Sequence, residues 1–96
     1  MIKDNEAIES MKQWATSLDD ATDIELEKIA AYVGRVAKMR REEYGFSQSV
    51  VAGLLCTHQG RLAEIEAGLH KLTLRSLVRL SNILNLRLKI TLEPKQ

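Results

Sequence analysis

Residues 45–68 read GFSQSVVAGLLCTHQGRLAEIEAG, and the fold turns on how this stretch divides. Gly45 suits the left-handed position that closes a helix, because it has no Cβ to clash there. Ser47 can cap the next helix by accepting from the free amides of its first turn. Val50, Val51, Leu54 and Leu55 then supply that helix with apolar residues, and Cys56 and Thr57 interrupt it. A second short helix carries Leu62, Ala63 and Ile65 and stops at Gly68. Two short helices on either side of a tight turn, with the small Ala52 allowing close contact, cross steeply, so that the second projects outward.

Upstream, Leu26, Ile29, Ala30, Val33, Ala37 and Arg41 recur at helical spacing, with Thr22 or Asp23 as N-cap. Ser17, Leu18, Asp19 and Asp20 have the composition of a cap and linker, which predicts a separate first helix before them. That helix would carry Ile8, Met11, Trp14, Ala15 and Leu18 on one face. The stripe either lies on its own domain as core or receives a partner protein. Downstream, Thr73 caps a fifth helix with Leu74, Leu77, Val78, Leu80, Ser81 and Leu84 on its buried side, ending near Asn85.

After Asn85 the period changes to two. Leu86, Leu88, Ile90 and Leu92 alternate with Arg87, Lys89, Thr91 and Glu93, and Pro94 ends the pattern. This predicts a half-buried β-strand. A lone strand cannot satisfy its own backbone groups, and no second strand pattern occurs, so the pattern predicts antiparallel self-pairing in a two-fold homodimer. The alternative is a segment packed sideways on its own helices. The expected organisation is an acidic helical extension over residues 1–22, a helical body over 23–85, a dimerisation strand over 86–93 and a tail over 94–96.

The chain has 96 residues, 45% of them hydrophobic and 28% charged, which fits one globular domain and excludes a large enzyme. A single cysteine, Cys56, excludes an intrachain disulfide and a zinc cluster and points to the cytoplasm. No apolar run approaches a bilayer span, and the first residues carry acids where a secretory signal is apolar. A soluble protein without membrane contact is expected. The net charge of +1 conceals an asymmetry: Met1 to Glu27 holds eight acids and two bases, net −6, and Lys28 to Gln96 holds twelve bases and five acids, net +7. A basic body of this kind attracts polyanions or is simply well solvated.

The stretch from Gly45 to Gly68 resembles the helix-turn-helix of the lambda-repressor-like family, the Cro/C1 or Xre type. Gly45, Phe46, Ser47, Gln48, Val51, Ala52, Leu55, Leu62, Ile65, Glu66 and Gly68 stand where that family places those residue types, and the likeness covers about residues 29 to 86. The resemblance implies an all-α, five-helix DNA-binding domain that reads double-stranded operator DNA through the helix after the turn. A projecting helix fits the major groove, and its N-terminal residues meet base edges. Those residues are Thr57, His58, Gln59, Gly60 and Arg61, with Glu64 one turn later.

Gln59 can bond an adenine edge and Arg61 a guanine edge; Glu64 accepts from a cytosine amine or pairs with Arg61. His58 is a base contact or a solvated cap. Ser47 and Gln48 correspond to the start of the helix that meets phosphate or an outer base. Lys71, Arg75 and Arg40 are phosphate contacts or solvated charges. In the family a helix-one arginine pairs with the glutamate at the position of Glu66, and Arg41 corresponds to it. Two departures stand out. Cys56 replaces the frequent turn glycine, so the turn forms without one or strains Cys56, and Gly60 lies inside the reading helix at a cost of about 1 kcal/mol against Ala.

The short alternating segment after the helical body is similar to that of HipB-type antitoxins and their regulator relatives. This resemblance implies a dimeric repressor of a palindromic operator, associated with the nucleoid when bound to DNA, with a cognate toxin as a further partner. The other class of function is a protein-interaction module whose acidic extension holds a basic partner. Catalysis is not expected. His58 and His70 are twelve positions apart without a paired acid, and no metal set, cofactor motif or phosphate loop is present in the sequence.

Overall fold

The computed structural model describes residues 4–69 and 72–95, and the side chains of all of these except 15–17. Among the described residues four helices follow one another: α1 (Asp4–Glu43), α2 (Gln48–Leu54), α3 (Gln59–Glu66) and α4 (Leu74–Ile83). The first two predicted helices are therefore one. Residues 17–23 contain no Pro or Gly, and Thr22 bonds within the helix, its hydroxyl donating to the Leu18 carbonyl at 3.0 Å, where a cap had been predicted. Asp and Thr cost a helix up to about 0.7 kcal/mol each, less than exposing the backbone groups of two new helix ends. The molecule measures 62 × 26 × 18 Å, and its long dimension is the roughly 60 Å rise of α1.

The last turns of α1 pack with α2, α3 and α4 around Ala37, Val51, Ala52, Leu62, Ile65, Leu80 and Leu84. Gly34 sets the distance between α1 and α3. A methyl group in its place would press on the Ile65 carbonyl and stand 2.7 Å from the Glu66 carbonyl oxygen, so only Gly permits the approach.

All four helices close in the same way. Gly45, Cys56, Gly68 and Asn85 have φ of 71, 58, 75 and 55°. The amide of the next residue returns to the carbonyl five residues back in each case: Phe46 to Arg41, Thr57 to Ala52, Leu69 to Glu64 and Leu86 to Ser81. This satisfies carbonyls that a helix end leaves open. Arg40 is part of the same joinery. It donates to the Leu84 carbonyl at 3.1 Å and the Asn85 carbonyl at 3.4 Å, pairs with Glu43 at 3.1 Å and stands 4.8 Å from the Tyr44 ring centre. It ties α1 to the end of α4, a role that neither sequence-based alternative foresaw.

Two further expectations are corrected. The N-terminal stripe does not lie on its own domain: Ile8 is 51%, Met11 64% and Trp14 65% exposed, because the continuous helix carries them beyond the body. Nor is the predicted strand formed. Residues 86–95 have no regular secondary structure, and there is no strand among the described residues to pair with them. Leu86 packs against the core, whereas Ile90 and Leu92 are 63% and 94% exposed, so the segment does not pack sideways on its own helices beyond its start. Pairing of Leu86, Leu88, Ile90 and Leu92 with another copy thus has no counterpart within the chain.

Candidate nucleic-acid interface

Ser47 begins α2 in the extended conformation, and its hydroxyl accepts from the Val50 amide at 3.2 Å. At the other end of α2, Cys56 takes the left-handed conformation without the help of glycine, a strain of about 1–2 kcal/mol for an L-residue. Thr57 is half-buried in that turn. His58 then caps α3, its Nδ1 accepting from the Arg61 amide at 3.2 Å. Helix α3 accordingly starts at Gln59, two residues after Thr57, so Thr57 and His58 stand before it rather than on it.

Gln59, Gly60, Arg61 and Glu64 are all exposed on α3. At Gly60 an added methyl would meet the His58 ring at 3.4 Å, an ordinary contact, so packing does not demand glycine there. Gln59 is held from two sides. Its Nε2 donates to Gln48 Oε1 at 3.3 Å, and its Oε1 accepts from the Ser49 hydroxyl at 3.4 Å. Gln48 in turn donates to Glu66 Oε1 at 3.0 Å, and Glu66 receives Arg41 through two bonds of 2.6 and 2.9 Å. Arg41 also donates to the Phe46 carbonyl at 2.8 Å.

A line of hydrogen bonds thus runs from the inner face of α1, through the buried Arg41–Glu66 pair, to an exposed amide on α3. The forked guanidinium fixes both carboxylate oxygens, and the second bond to Glu66 Oε1 fixes Gln48. Burial acts to raise the Glu66 pKa, but the bonds from Arg41 and Gln48 with the Arg41 charge outweigh it and hold Glu66 below its ordinary value. Arg41 is shifted up, chiefly by its bond to Glu66. Both are held ionised at neutral pH, so the anchor of Gln59 is charged and paired there.

Among the remaining predicted residues, Lys71 lies outside the described residues, as does His70. Arg75 is exposed in the first turn of α4, which Thr73 caps by accepting from the Ser76 amide at 3.1 Å. Arg79 was missed. It lines one cleft with Thr57, Arg61 and Ser76 and donates to Cys56 Sγ at 3.6 Å. The signal was present in the sequence, since Arg75 and Arg79 are four apart on the polar side of the helix. The support of Gln59 by Ser49 was likewise not legible from spacing alone.

The surface that results is an exposed amide and an exposed guanidinium on the first turn of a projecting helix, with cations beside them. Such groups match the acceptor and donor edges of bases in a major groove and the phosphates that flank it. The family model for the helix-turn-helix matches residues 38–90, more than half of the chain, from the last turns of α1 into the C-terminal segment. No curated protein matches the sequence.

Proposed function

Since this chain belongs to the Cro/C1-type, Xre-like helix-turn-helix family and is a DNA-binding transcriptional regulator, we propose that it acts as a dimeric repressor. In this reading α3 enters the major groove of a palindromic operator. Gln59 meets an adenine edge, Arg61 a guanine edge, and Gln48 with the capped start of α2 holds phosphate. Thr57, His58, Gly60 and Glu64 border the same base edges, and Ser47 and Lys71 are assigned to phosphate contact. The observation that carries the reading is the fixed orientation of Gln59 by Gln48 and Ser49, which lowers the entropy lost when it binds a base. The Leu86–Leu92 segment supplies the two-fold contact by antiparallel pairing, and half-sites stand about one helical turn, 10 to 10.5 base pairs, apart.

The test is selection of bound sequences from random duplex DNA with the purified protein and with a Gln59→Ala, Arg61→Ala double variant. The expected result is a palindromic motif that the variant loses. No enrichment, or enrichment unchanged by the substitutions, overturns the reading. An antitoxin role is a finer form of the same proposal. The second reading, a protein-interaction module, draws on one observation: the exposed apolar stripe of the N-terminal arm, which DNA binding leaves unused.

A further inference from the structure

The stripe on α1 is longer than its N-terminal arm. Ile8, Met11 and Leu18 lie 14, 11 and 4 residues before Thr22, and Val36, Val33 and Leu26 lie 14, 11 and 4 residues after it. At 3.6 residues per turn all seven positions fall within an arc of about 80° on one side of a single unbroken helix. From Ile8 to Ile29 the strip is open, with Leu26 45% and Ile29 50% exposed, and only Val33 and Val36 are half-buried at the edge of the body. Monomeric proteins rarely leave so long an apolar strip uncovered.

A spacing symmetric about one residue is what an antiparallel helix pair on a two-fold axis requires, because residue i of one copy then stands level with residue 44 − i of the other. Ile8 meets Val36, Met11 meets Val33 and Leu18 meets Leu26. Charge follows the same symmetry. The stretch from Asp4 to Glu9, with three acids and no base, then runs alongside the stretch from Arg35 to Arg41 of the other copy, with four bases and no acid, whereas a parallel pair would set acids beside acids. The body offers a matching receptacle: Val33 and Val36 line a groove with Leu86 and Leu88, and Arg87 and Lys89 lie on its rim. An acidic arm ending in Ile8 and Met11 is complementary to that groove in both apolarity and charge.

We propose that α1 pairs with α1 of a second copy of this chain, antiparallel about a two-fold axis through Thr22, so that the acidic arm of each copy covers the basic body of the other. This contact goes beyond the DNA-binding reading and uses a surface separate from the exposed end of the Leu86–Leu92 segment, so the two can be tested apart.

The experiment measures distances between spin labels on the full chain, in a Cys56→Ser background, with either Asp20→Cys or Glu6→Cys carrying the label. Both positions face away from the stripe. Antiparallel pairing gives a short distance of roughly 20–25 Å between the labels at position 20 and a long one of about 50 Å between those at position 6, from the 1.5 Å rise per residue. Leu92→Lys, at the exposed end of the C-terminal segment and outside the groove, should leave both α1 distances in place. In that background, where the other proposed contact is removed, light scattering should show the particle mass halved by Leu18→Lys, helix content being checked by circular dichroism.

Equal short distances at both positions, a mass unchanged by Leu18→Lys in the Leu92→Lys background, or distances lost in Leu92→Lys alone would each overturn the pairing. So would an arm that associates only after a basic protein of another kind is added. None of these outcomes alters the base-reading assignment of Gln59 and Arg61, which the sequence selection decides by itself.

Discussion

From Ala30 to Arg41, α1 turns Gly34, Ala37 and Arg41 into the body, and Ala37 is 2% exposed. From Ile8 to Leu18 the same helix keeps larger apolar side chains in the open. The half with the smaller side chains is the buried one. Small residues let α3 approach the α1 backbone until carbonyls nearly touch Gly34, and close packing of backbones brings many weak contacts together. The bulky stripe of the arm lacks such a surface in its own chain. Apolar periodicity therefore identifies which side of a helix will be covered, and the size of the residues on it bears on what covers it.

The sharpest way to break this contrast is at the Arg41–Glu66 pair. Arg41→Ala leaves a buried carboxylate without its partner and should cost about 3–5 kcal/mol, a large share of a domain this small. Urea denaturation should show it as a greatly lowered midpoint. Gly34→Ala comes next. It should cost about 1–3 kcal/mol by overpacking, since the neighbours are backbone and cannot turn aside; thermal unfolding measures it, and Gly53→Ala in α2, where an added methyl meets nothing, should be neutral or stabilising.

The pair also has a pH signature. Because Glu66 has a lowered pKa in the folded chain, the unfolded chain binds more protons between the two values. The stability it contributes is fully present above the ordinary carboxylate range and is lost as pH falls through the folded pKa. Urea midpoints from pH 7 down to pH 3 should fall with acid, and Glu66→Gln should remove that part of the slope, on a lower baseline.

A smaller effect of opposite sign is expected at the turn. Cys56→Gly relieves a left-handed L-residue and should raise stability by about 1 kcal/mol, measured by urea unfolding. A loss of stability would mean that the Arg79 contact to Cys56 Sγ outweighs the backbone strain. Least of all, Leu18→Lys in the arm should change the folding stability of the body by less than about 0.5 kcal/mol under dilute conditions. A large loss there would show that the arm is part of the body's cooperative unit and would erase the contrast between the halves.

Much of the body was legible because its signals are local. Ser47 and Thr73 cap helices by reaching three residues along the chain, and Gly45, Gly68 and Asn85 end them through their own φ. The Arg41–Glu66 pair was reached by resemblance, since 25 residues separate its members and no periodicity relates them. Residues 17–23 misled because Ser, Asp and Thr are good caps where a helix ends, yet tolerable residues where it continues. Arg40 misled because exposed bases near a helix end suggest phosphate contacts, while the two carbonyls it bonds come from residues 44 and 45 positions away.

The sequence by itself determined the turn-flanked pair of short helices and the side of each helix that is apolar, because both follow from side-chain chemistry over a few neighbouring residues. Only the tertiary structure decided that the first two predicted helices are one, that Gly34 sets the α1–α3 distance, that Gln59 is braced by Gln48 and Ser49, and that the arm's stripe is uncovered. Each of those depends on what lies across space from a residue rather than beside it in the chain. Local propensities of a few tenths of a kcal/mol do not determine that, whereas close packing and buried charge, each worth several times more, do.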